Sequence, residues 1–79
     1  MAHSLDLRGV EPPFDYLSAH LLLCQLAPGA HVELLLDDGD AIVEVPQELA
    51  SDGHEVLSAN RAGGHWVVNL RGCSAATVG

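Results

Sequence analysis

Segments whose apolar residues recur at every second position alternate along this chain with segments where they recur at every third or fourth. That alternation decides the fold class before composition is considered. Ser4 to Arg8 puts Leu5 and Leu7 on one side and Ser4 and Asp6 on the other, a short strand ended by Gly9. Phe14 to Ala27 sets Tyr16, Ala19, Leu23 and Leu26 on one helical face, and Pro28-Gly29 stops it. His31 to Leu36 returns to the strand period, with Val32, Leu34 and Leu36 opposite His31 and Glu33. A second helical stretch covers Ala41 to Asp52. Pro46 is expected to split it into a single turn and a new start, because proline has no amide hydrogen to give. Glu55 to Asn60 and His65 to Leu70 are two more strands, joined as a hairpin by Ala62-Gly63-Gly64, with Trp66, Val68 and Leu70 on one face.

The order β-α-β-α-β-β predicts an α/β two-layer sandwich, a mixed four-stranded sheet with both helices on one face. The chain of 79 residues has room for one such domain. Residues 1–72 are expected to form it, with 73–79 a flexible C-terminal tail that has little to bury. Asp37-Asp38-Gly39-Asp40, with Glu44 nearby, reads as a solvated acidic turn and a supply of N-caps for the second helix.

Charge narrows the partners. Eleven acidic residues face three arginines (Arg8, Arg61 and Arg71) and no lysine, for a net charge of −8. Such a body repels phosphate, so nucleic acid and anionic membrane are disfavoured and a basic protein is attracted. The longest apolar run, Leu21 to Cys24, is far too short to span a bilayer, and the first residues lack the pattern of a secretory leader. The expected location is the cytoplasm.

Leu5-Asp6-Leu7-Arg8-Gly9-Val10 resembles the "LD-x-RG" opening of the TusA/SirA/YedF sulfur carriers. Further elements fall at matching spacing: Leu23, Leu26 and Pro28-Gly29, then Asp37-Asp38, Val45-Pro46, Asp52-Gly53-His54-Glu55-Val56 and Trp66. The resemblance covers residues 4–71. It implies the sandwich fold and a site at the start of the first helix, where the family carries Cys-Pro-x-Pro or Cys-Pro-x-Asn. Pro13 matches the motif's first proline, Asp15 falls on the second proline or asparagine, and Pro12 stands on the cysteine. A thiolate is the sulfur nucleophile, and a helix N-terminus favours it. Pro12 has no sulfur, so the family's relay has no carrier atom there. Ser18 and His20 stand where the family commonly has lysine or arginine.

Three readings follow. The first is a non-catalytic protein-binding or regulatory module that keeps Arg8, Gly9, Pro12 and Pro13. It would bind a sulfur-relay component, or a second copy of itself, through a second apolar stripe of Leu17, Leu21 and Cys24. The alternative is an active sulfur carrier using Cys73 or Cys24. Cys24 lies toward the far end of the first helix, where the dipole opposes a thiolate, and a small apolar role is the competing explanation. Cys73 lies just past the last strand. Metal binding is third: His3, His20, His31, His54 and His65 include no zinc-type spacing, and the acidic turn lacks a calcium-loop pattern. No metal or cofactor is expected, and His54 reads as a structural turn residue.

Overall fold

A computed structural model describes residues 3–72. Cys73 and the remainder of the predicted tail lie outside the described residues. The elements are β1 (His3–Asp6), α1 (Phe14–Gln25), β2 (His31–Asp37), α2 (Asp40–Ser51), β3 (Glu55–Ala62) and β4 (His65–Arg71). The sheet order is β1-β2-β4-β3. β1 runs parallel to β2, and the other pairs are antiparallel. This is the predicted βαβαββ sandwich.

The alternation in the sequence becomes the division between core and surface. Val32, Leu34 and Leu36 of β2 and Val68 and Leu70 of β4 meet Ala19 and Leu23 of α1 and Val45 and Leu49 of α2, all fully or almost fully buried. Both helices therefore cover one sheet face. The opposite face carries His31, Glu33, Leu35 and Asp37 of β2 against Arg71, Asn69, Val67 and His65 of β4. His31 and His65 share that face, as their alternation predicts, but lie at opposite ends of the ladder. His31 Nε2 meets Asn69 Oδ1 at 3.1 Å.

Three local expectations are corrected. α1 ends at Gln25 rather than Ala27, and Leu26 is already extended. Pro28 disfavours helical backbone at the residue before it, so the chain leaves the helix early. α2 runs unbroken through Pro46. Burying Val45 and Leu49 on either side of Pro46 is worth about 3–6 kcal/mol together, which matches or exceeds the ~3 kcal/mol that an interior proline costs. No acidic side chain caps α2; Gly39 is the N-cap, with φ of +111°.

The acidic turn is also braced rather than simply solvated. Asp38 accepts Trp66 Nε1–H at 3.0 Å and Arg61 Nη2–H at 2.9 Å, and the Arg61 guanidinium carbon lies 5.7 Å from the Trp66 ring centre. The Trp66 hydrogen bond, with Arg61 beside it, holds the Asp38 carboxyl below the usual carboxylate range. The β2–α2 turn is thereby tied to the β3–β4 hairpin.

Candidate functional site

The approach to α1 is shaped by the first strand's charges. Arg8 folds back on Asp6: Nε donates to Oδ1 at 2.9 Å, Nη2 to Oδ2 at 2.8 Å, and the Arg8 amide to Oδ1 at 3.0 Å. Those hydrogen bonds hold the Asp6 carboxyl well below its ordinary range and raise the guanidinium of Arg8. Both side chains are open to water, so the pair orders the turn more than it stabilises the fold. Gly9 follows with φ of +80°, in a turn closed by Val10 N–H on Leu7 C=O at 3.2 Å. A side chain there would be strained. The Gly9 amide donates to Asp37 Oδ2 at 2.7 Å, which ties the turn to the end of β2.

The chain then reaches Glu11-Pro12-Pro13. The Glu11 carbonyl accepts Phe14 N–H at 2.8 Å, and the Pro13 carbonyl accepts Leu17 N–H at 2.9 Å. Pro13 is thus the N-cap of α1, one position outside the first helical residue, and Pro12 precedes it. Both are exposed. Neither offers an N–H or a nucleophile. Asp15 sits in the first turn, buried to 2 % exposure, and its Oδ1 accepts Tyr16 N–H at 2.7 Å. A buried carboxylate therefore already complements the positive end of the helix.

Farther along α1 the side chains change character. Leu17 and Leu21 are exposed, with Phe14 beside them; Phe14 and Leu21 are each 60 % exposed. The second apolar stripe of the sequence thus faces outward, and Cys24 is exposed at its end. On the neighbouring face, Tyr16, His20 and Cys24 follow one another at helical spacing. Cys24 Sγ is 3.6 Å from His20 Nε2. His20 Nδ1 is 3.3 Å from Asp52 Oδ2, which is ion-pair distance, although the two are not aligned for a hydrogen bond. The Tyr16 hydroxyl donates to the same Asp52 oxygen. That hydrogen bond, with burial and the Asp52 charge, pushes the phenol up to about 12.

His54 completes the group. It is 5 % exposed, and its ring stands edge-on to His20 with centres 5.6 Å apart. Burial, then the neighbouring His20, lowers its pKa, so the neutral imidazole is favoured. The ligand-type atoms of His20, Asp52 and His54 all lie within 4.8 Å of one another. Sequence spacing could not reveal this grouping, because α1 reaches the α2–β3 turn only through the fold. The legible signals were the four-residue steps Tyr16-His20-Cys24 and the pair Asp52/His54.

The family model for "Sulfurtransferase TusA" matches residues 3–72, nearly the whole chain. The chain belongs to the TusA family. It is 34 % identical over 59 residues to a protein of Archaeoglobus fulgidus named "Putative sulfur carrier protein", covering 75 % of this chain and 67 % of that one. Its fold is similar to that of a SirA-like protein from Desulfitobacterium hafniense, with a TM-score of 0.76 at 19 % identity, covering 92 % of this chain and 99 % of the other. Within this TusA-family fold, Pro12 and Pro13 lead into the mouth of α1, while Arg8 pairs with Asp6 and Gly9 with Asp37 in the turn before it. Leu17, Leu21 and Cys24 lie along the outer side of the same helix, away from that mouth. No helix among the described residues is long and apolar enough to cross a membrane.

Proposed function

We propose that this protein is a non-catalytic, protein-binding member of the TusA family that docks on a sulfur-relay protein through the mouth and outer face of α1. The observation that carries this reading is the α1 mouth itself. Pro12 stands exposed where the resemblance puts a cysteine, followed by the exposed Pro13, and the first turn already holds the Asp15 carboxylate. A persulfide at that position has no atom to sit on, and an anion there would meet a like charge. What the outer face of that helix does present is apolar surface: Phe14, Leu17 and Leu21 are exposed, as is Val10 before the helix. Exposed apolar residues in a row mark a surface that a partner covers. With a net charge of −8, the partner that docks there fastest is a basic one.

Native mass spectrometry of the protein mixed with a cysteine desulfurase or with a thiol-bearing carrier of the same family tests the docking. The wild type is expected to form a complex, and Leu17→Asp with Leu21→Asp is expected to abolish it. A strictly monomeric wild type that captures neither partner overturns the reading.

One observation favours a second reading, an active carrier that uses Cys24. Cys24 Sγ lies 3.6 Å from His20 Nε2, within reach of an imidazole that could serve the thiol as a base, and Asp52 Oδ2 lies 3.3 Å from the other ring nitrogen without being aligned for a hydrogen bond. Its signature would be a gain of one sulfur atom in mass that disappears in Cys24→Ser. The other candidate thiol, Cys73, lies outside the described residues.

A further inference from the structure

The convergence of His54 on His20 and Asp52 is a feature that neither docking nor a Cys24 thiol explains. Two imidazoles and one carboxylate converge from two separate parts of the chain, α1 and the α2–β3 turn. Asp52 is the C-cap of α2, so its negative charge sits at the negative end of that helix, and the last turn of α2 holds no basic residue. Such placement is unfavourable unless a cation lies close. His20 Nδ1 is buried and makes no hydrogen bond, though Asp52 Oδ2 is 3.3 Å away. In the tautomer that carries the imidazole hydrogen on Nε2, toward Cys24 Sγ 3.6 Å off, Nδ1 turns a lone pair toward the carboxylate oxygen. Two lone-pair atoms at that distance repel each other, and a cation held between them reverses the sign.

We infer that His20 Nδ1, the Asp52 carboxylate and the His54 imidazole form a site for a divalent first-row transition ion, of the class to which zinc belongs. The donor set selects the ion. Two imidazole nitrogens and one carboxylate suit zinc and its neighbours, whereas magnesium and calcium take oxygen shells. A tetrahedral zinc needs ligand atoms about 3.4 Å apart. The His20–Asp52 distance already meets this, and the ligand atoms of all three residues lie within 4.8 Å of one another. The supporting contacts are those that metal ligands ordinarily receive. Tyr16 O–H donates to the Asp52 carboxylate, and Cys24 Sγ lies 3.6 Å from the far nitrogen of His20. Three protein ligands leave a coordination position open, at the half-exposed edge formed by His20 and Asp52.

The test is a zinc titration of the chelator-treated full chain, followed by the imidazole nitrogen and carbon-bound proton signals in NMR and by competition with a chromophoric chelator. One equivalent of zinc is expected to move the signals of His20 and His54 while those of His31 and His65 stay in place. Asp52→Asn, an exposed-residue change that spares the core, is expected to weaken binding by about tenfold or more, and His54→Gln likewise. His65→Gln is expected to bind as the wild type does. No saturable uptake by the wild type overturns the inference. So does uptake that moves His31 or His65 instead, or an affinity unchanged in Asp52→Asn.

Discussion

Tyr16 is the chain's single tyrosine, so its phenol can be followed without ambiguity. Its hydroxyl donates to Asp52 and its ring stacks on His20 at 5.8 Å, fastening α1 to the α2–β3 turn. The phenol's folded pKa of about 12 lies above its ordinary value of 10.0, mainly through that hydrogen bond. The folded state therefore favours the protonated phenol. The stability this supplies is fully present below pH 10 and is lost as pH rises toward 12. Ultraviolet titration of the phenolate is expected to show ionisation well above that of free tyrosine, returning to the ordinary range in Asp52→Asn. An unshifted titration in the native protein would remove the Tyr16–Asp52 bond from the description. At this scale the sequence was least informative. Tyr16 and Asp52 are 36 positions apart, and nothing in either neighbourhood announces the other. Asp15 is similar: an acidic residue in a first turn is ordinary, but its burial follows only from how α1 sits on the sheet.

At the scale of elements, periodicity told strands from helices because each buries one face on a shared core, and burial imposes the period of the backbone. The ends and interruptions were less legible, since they are settled by competition between local preference and packing. Pro28 won locally and shortened α1; Pro46 lost, because Val45 and Leu49 hold α2 on the sheet. Pro46→Ala restores an amide able to reach the Ile42 carbonyl. It should therefore stabilise the protein by about 1 kcal/mol, the helix gain being partly offset by the looser unfolded chain. Urea denaturation measures this. A destabilised variant would show that the proline ring contributes more through packing than it costs the helix. The outer stripe of α1 was legible as a second apolar face, and the fold leaves Leu17 and Leu21 uncovered within the chain. What meets that stripe is a property of a partner and is not encoded in the periodicity.

The whole molecule rests on one thin core in which a single sheet face does all the burying. A domain of this size is stable by about 5–10 kcal/mol. Leu34 is completely buried on the central strand β2, and Leu34→Ala should cost about 3–4 kcal/mol, leaving the protein near the edge of folding at physiological temperature. Calorimetry checks this, and a loss below about 1 kcal/mol would show that the site collapses to fill the cavity. The same fold fixes the geometry on which the functional reading depends. β1 and the Arg8-Gly9 turn deliver Pro12 and Pro13 to the opening of α1, where a thiol would gain most from the backbone, while the one thiol among the described residues, Cys24, lies on the far half of that helix. Incubating the purified chain with a cysteine desulfurase and cysteine, then weighing it intact, addresses this most directly. The expected result is an unchanged mass; a chain heavier by one sulfur atom would contradict it.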